Sequence, residues 1–121
     1  MWTYSQSNGI LSHLGIQVGT GYSGHGIGVN NPKLQDVRNV GPIPQGLWII
    51  GEGVDVVKLG PVAIPLTAED ETNTFSRSGF WIHGDEIEHP GEELASDGCI
   101  ILSRNIRELI NSSTDKILQV V

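Results

Sequence analysis

Short apolar runs broken by glycine, proline and asparagine make up most of the chain, and the runs favour β-branched and aromatic side chains. Residues 2–5, 9–12 and 15–20 read as a β meander. Asn8-Gly9 and Leu14-Gly15 separate them, and Asn-Gly is a strong hairpin signal because the favoured tight turn needs positive φ at both central positions. From Gly21 to Pro32 glycine recurs at 21, 24, 26 and 28, which fits a loop or a close approach of backbone. The turn cluster Gly41-Pro42-Ile43-Pro44-Gln45-Gly46 feeds Leu47-Trp48-Ile49-Ile50, a buried strand by its composition. Residues 62–66 read as another strand, and Pro65, which has no N–H to donate, predicts that it lies at an edge. Residues 67–78 read as a surface loop. Phe80-Trp81-Ile82-His83 is a further strand, followed by a loop from Gly84 to Asp97. Only one segment has helical period: Ile106, Leu109 and Ile110 stand at i, i+3 and i+4 behind Ser103 as N-cap, which predicts a helix over 103–112. The apolar tail 117–121 reads as a strand that closes a sheet, since an unpaired apolar end invites aggregation.

Composition narrows this picture to one folded, mainly β domain spanning residues 1–121. The chain has 16 glycines, 17% charged and 38% hydrophobic residues, which suits a turn-rich β protein better than a bundle or a disordered segment. A net charge of −7 with seven scattered Lys and Arg argues against nucleic acid as a partner. No stretch approaches the about 18 apolar residues of a membrane span, and residues 1–6 carry no basic, apolar leader of the Sec type. The Gly21–Pro32 stretch lacks the Gly-Lys-Ser/Thr ending of a phosphate loop. One cysteine excludes an internal disulfide and leaves a free thiol.

The segment 83–99 holds the chemistry. Thiol catalysis needs a thiolate, an imidazole to take its proton, and backbone N–H groups facing the oxyanion that forms on the attacked carbonyl. His83 sits where a strand gives way to a loop. Cys99 follows Gly98, whose missing side chain would let a carbonyl approach the N–H groups of Gly98 and Cys99. The spacing equally allows a core histidine and a buried thiol that never meet. His89 is an alternative base, on a loop beside Pro90. The six acids of the 84–97 loop read either as a solvated surface or as an attraction for an ammonium group.

His83-Gly84 and Ser96-Asp97-Gly98-Cys99 resemble the signature of YkuD-type L,D-transpeptidase catalytic domains, a His-Gly pair on a strand followed by Ser-x-Gly-Cys. Gly41–Ile49 is similar to that family's turn and strand, and Leu118–Val121 to its closing strand. The pattern Tyr22-Ser23-Gly24, Gly41–Gly46, Gly79–Asp85 and Ala95–Leu102 most resembles the L,D-transpeptidase effectors of type VI secretion. The resemblance implies an L,D-transpeptidase-like β-sandwich with one short helix after the cysteine. It implies Cys99 as nucleophile, His83 as base, Gly98 and Cys99 as oxyanion hole, and Tyr22, Gly84, Asp85, Ser96 and Asp97 among substrate-binding positions. It requires no metal and no cofactor. The substrate it implies is the tetrapeptide stem of peptidoglycan, with transpeptidation, carboxypeptidase trimming or D-amino-acid exchange as outcomes. It further implies synthesis in the cytoplasm without a Sec signal, delivery by the secretion machine, action in a rival's periplasm, and a cognate immunity protein.

Two departures stand out. General members carry His before the Gly-Cys pair and Arg or Asn two residues after it, where this chain has Asp97 and Ile101. Arg77 is the expected replacement for gripping a substrate carboxylate with two parallel bonds, with Arg104 second. Asp97 is expected to raise the Cys99 pKa and to favour the imidazolium of His83. Three rival readings remain open: a metal hydrolase using His83, Asp85, His89 and Cys99; a papain-like amidase, disfavoured because its cysteine precedes its histidine; and a non-catalytic wall-binding module.

Overall fold

In a computed structural model that describes residues 1–121, the opening meander forms as β1 (Trp2–Tyr4), β2 (Ile10–His13) and β3 (Ile16–Thr20), but residues 5–9 make the first connection, with positive φ at Gly9 and not at Asn8, so it is not the two-residue turn expected of Asn8-Gly9. Leu14 and Gly15 both take positive φ, 50° and 81°, so two residues close the β2–β3 hairpin. The expected loop at 21–32 instead contains β4 (Tyr22–Ser23) and two single turns of 3₁₀ helix. Then come β5 (Gly46–Ile50), β6 (Val54–Val56), β7 (Gly60–Ala68), β8 (Trp81–His83), β9 (Ile100–Ile101), α1 (Arg104–Ser112) and β10 (Ile117–Val120). The protein is mainly β with a single helix near its C-terminal end.

The strands join along one hydrogen-bonded path, β3-β2-β1-β10-β5-β7-β8-β9-β4, with β6 paired to β7. It is a mixed sheet: β1 runs parallel to β10 and β8 parallel to β9, and the remaining pairs are antiparallel. The terminal strand closes the sheet from inside, between β1 and β5. Long β7 is the corner. Its C-terminal part pairs with β5 (Ile50↔Leu66), its middle with β8 (Ile64↔Ile82), and its start with β6 (Val54↔Ala63). Pro65 therefore lies in an interior strand, against expectation. Its missing N–H falls at the changeover between partners, where its carbonyl accepts from Gly51 and the Leu66 N–H donates to Phe80.

One apolar cluster of 15 buried residues draws on both ends of this path, from Trp2 and Tyr4 to Ile82 and Ile100, so the sheet folds back on itself around a shared core. Trp48 and Phe80 meet edge to face in it, 5.1 Å between ring centroids. The helix presents Ile110 and part of Ile106 to this core, but Leu109 is half exposed. The inward position expected of Leu109 belongs to Arg107, which is 6% exposed. Ser103 occupies the N-cap position without a side-chain capping bond.

Candidate active site

His83 ends β8 and Cys99 immediately precedes β9, and the parallel register of these neighbours, Ile82↔Ile100 and His83↔Ile101, fixes their relation. Alternation puts residues 81, 83, 99 and 101 on one face of the ladder. His83 and Cys99 thus stand at diagonal positions on one surface, and diagonal neighbours in adjacent strands are about 7–8 Å apart at Cα. Both line a cleft of about 490 Å³. Cys99 is partly exposed there, so the sulfur is not sealed in the core.

The imidazole has one usable orientation. Nδ1–H of His83 donates to the Gly84 carbonyl at 2.9 Å, which fixes the neutral tautomer and leaves the Nε2 lone pair as the ring's base. Burial pushes the His83 pKa below its ordinary 6.5; the Gly84 carbonyl and Asp85 oppose this, and Arg107 adds to it. Burial also pushes the Cys99 thiol above 9.0, Asp97 adds to that, and a hydrogen bond from the Trp81 N–H and the charge of Arg77 oppose it. Both shifts favour the uncharged forms, thiol and neutral imidazole. Asp97 acts on the thiol as expected, but the carboxylate that favours the imidazolium is Asp85.

The loop that carries the sulfur is held from every side. Gly98 has φ +142°, open only to glycine without strain, and a Cβ there would lie 2.6 Å from Arg77 Nη2 and 2.9 Å from Phe80. Its N–H donates to Ser96 Oγ at 3.0 Å and its carbonyl accepts from Ser23 Oγ at 2.9 Å. The expected Gly98 half of the oxyanion hole is therefore already engaged, which leaves the Cys99 N–H. Ser96, 1% exposed, also accepts from the Gly24 N–H and donates to the Cys99 carbonyl at 2.6 Å. It supports the loop and does not line the cleft. Ser23 falls within the Tyr22-Ser23-Gly24 motif of the sequence, but that motif does not report the two backbone groups its hydroxyl joins, the Gly98 carbonyl and the Ile43 N–H.

Arg77 does reach the cleft wall, but its expected role changes. Nη1 donates to the carbonyls of Gln35 and Pro42, and Nη2 to those of Gly41 and Asp97, at 2.6–3.3 Å. All four Nη protons are engaged with backbone, so no two-bond grip remains for a ligand. Its guanidinium also lies over the Phe80 ring. Arg104 is exposed and paired with Glu108, outside both clefts. Asp97 lines the first cleft, beside Arg38, an exposed arginine that no sequence motif points to.

A second cleft of about 670 Å³ meets the first at His83, Leu59 and Ala95. Gly84, Asp85 and Arg107 line it. Tyr22 lies behind its wall: the hydroxyl donates to Asp85 at 2.8 Å and accepts from the Ala95 N–H at 3.0 Å. Asp85 also accepts from the N–H groups of Glu86 and Gly91. Tyr22 and Asp85 thus pin the acidic loop at its two ends, a supporting role where substrate contact was expected of Tyr22. His89 is exposed on that loop and paired with Glu92 at 2.8 Å, and it lines neither cleft. The four side chains of the metal-hydrolase alternative do not converge; the ligand-type group that does converge is Glu86, Glu88 and His89, without the cysteine. No helix is long and apolar enough to cross a membrane.

Residues 17–120 match the family model of the Tlde1 domain. No curated protein matches the chain.

Proposed function

Since the chain belongs to the Tlde1 domain family, the type VI secretion effectors that modify peptidoglycan, we propose that it is a cysteine acyltransferase acting on peptidoglycan tetrapeptide stems, with Cys99 as nucleophile and His83 as base. The single observation that carries this reading is one cleft lined by a partly exposed sulfur and by an imidazole whose Nδ1–H is tied to Gly84. That tie leaves Nε2 to take a proton.

Because both groups favour their uncharged forms, the sulfur becomes a nucleophile as it attacks: its proton passes to Nε2 while the C–S bond forms at the carbonyl of the L-centre of diaminopimelate. The Trp81 N–H then steadies the sulfur's charge, and the Cys99 N–H faces the oxyanion. The imidazolium returns its proton to the leaving nitrogen, D-alanine departs, and a thioester remains. Water, a free D-amino acid or a neighbouring stem resolves it, giving trimming, exchange or a crosslink. In a target cell each outcome removes the donor stems that normal crosslinking needs, and an immunity protein in the producer would have to cover this cleft.

Incubating the protein with defined disaccharide tetrapeptides and weighing the products tests this. Loss or replacement of the terminal alanine, or dimer formation, abolished by Cys99→Ala, is the expected result. An unchanged substrate under reducing conditions contradicts it, and loss of activity on chelation would favour metal chemistry instead.

A further inference from the structure

Arg107 has one terminal nitrogen, Nη2, that the fold does not use. The residue is 6% exposed. Nε donates to the Leu102 carbonyl at 3.1 Å, and Nη1 to the carbonyls of Pro61 and Val62. Nη2 has no acceptor, lies against Gly84 where an added Cβ would come within 2.8 Å of it, and belongs to the wall of the second cleft beside His83. A guanidinium held by three carbonyls is oriented before any ligand arrives, so a carboxylate meeting its free edge requires no side chain to be ordered.

The acyl-transfer reading, on which this inference rests, gives the unused donor a position relative to the reaction. The group that protonates the leaving nitrogen must stand beside it. The leaving residue therefore lies on the His83 side of the sulfur, and its carboxylate, one carbon from that nitrogen, extends past His83 toward Gly84. We infer that Arg107 receives the α-carboxylate of the leaving D-alanine and then that of the incoming amine, so that the enzyme selects acyl acceptors which are α-amino acids. In the second step the acceptor nitrogen's lone pair forms a C–N bond at the thioester carbonyl. The C–S bond breaks with its electron pair returning to Cys99 Sγ, and a proton from that nitrogen passes through Nε2 to the sulfur. The same wall bears Asp85, Glu86 and Glu88, so an arriving zwitterion finds both signs of charge. The free amine of a diaminopimelate side chain also neighbours a carboxylate, so a second stem meets the same requirement.

The test is a competition on the wild-type protein, with a disaccharide tetrapeptide as donor and D-methionine or D-methioninamide as acceptor. The amide keeps the amine, which is less basic and so more often unprotonated, and loses only the carboxylate charge. Exchange with the acid is expected to exceed exchange with the amide by roughly tenfold or more, given the strength of charge-assisted hydrogen bonds. Arg107→Lys and Arg107→Met should bring that ratio toward one and, because the same guanidinium receives the leaving D-alanine, should also raise the KM of trimming for the tetrapeptide. A protein that trims the tetrapeptide but uses the acid no better than the amide overturns this inference alone. A protein that leaves the tetrapeptide intact overturns the acyl-transfer reading with it. The wild-type comparison stands even if the variants fold poorly.

Discussion

The sulfur side and the imidazole side of the cleft are built alike, each from a glycine seated on a buried arginine, and they differ in how many donors that arginine has left. Under Gly98, Arg77 has all four Nη protons on the carbonyls of Gln35, Gly41, Pro42 and Asp97. Under Gly84, Arg107 engages three carbonyls through Nε and Nη1 and leaves Nη2 free. Gly98 needs its positive φ, whereas Gly84 is required only by the closeness of the guanidinium. An arginine with both terminal nitrogens engaged is a strut that holds a loop still. One with a terminal nitrogen free is a strut that can also bind.

Substitutions can break this comparison, and the largest effects belong to the two groups between the arginines. Cys99→Ala should lower release of D-alanine by more than about 10³-fold, and His83→Gln by about 10²–10⁴-fold, each with its circular dichroism spectrum retained. If either variant keeps wild-type turnover, the two sides do not act as a pair.

The arginines should separate next, by stability against activity. Arg77→Met leaves four carbonyls without a donor and should lose about 3–5 kcal/mol in urea unfolding, while Arg107→Met, with three, should lose about 2–3 kcal/mol and in addition lose acceptor selection. Gly98→Ala is expected to cost about 2 kcal/mol or more because strain and overlap coincide. Gly84→Ala meets only the end of a long side chain and should cost about 1 kcal/mol. Equal losses at both glycines would erase the distinction.

The smallest effects are in pH. Burial holds His83 below 6.5, so turnover should be level through neutrality and fall only as pH drops below that value. Cys99 lies above 9.0, so its rate of reaction with iodoacetamide should still be climbing at that pH. A plateau near neutrality would mean a preformed thiolate and imidazolium. The unfolded chain takes up a proton at His83 before the folded one does, so folding stability should decline slightly as pH falls below 6.5, and His83→Gln should remove that slope.

How much of this is legible in the residues follows from what each signal reports. Turn chemistry announces the meander, and the His-Gly and Ser-x-Gly-Cys motifs mark the two ends of the 83–99 excursion. Periodicity fails at α1, where Arg107 turns inward and Leu109 outward, because the polar end of an arginine can be met by carbonyls that no local pattern shows. Pro65 misleads for a related reason: a proline is tolerated inside a sheet where the ladder changes partners, and only β7's pairing with three strands reveals such a point. Arg77 stands out in the sequence by its nearness to His83. Its donors are taken by segments 35–42 and 97, distant in the chain, which spacing does not report.

The most direct measurement is the mass of the intact protein, quenched in acid during turnover of a disaccharide tetrapeptide. The account predicts an adduct equal to the muropeptide less its terminal alanine, mapped to the peptide containing Cys99 and released by hydroxylamine as a thioester should be. Turnover with no adduct on Cys99, or an adduct on another residue, would contradict it.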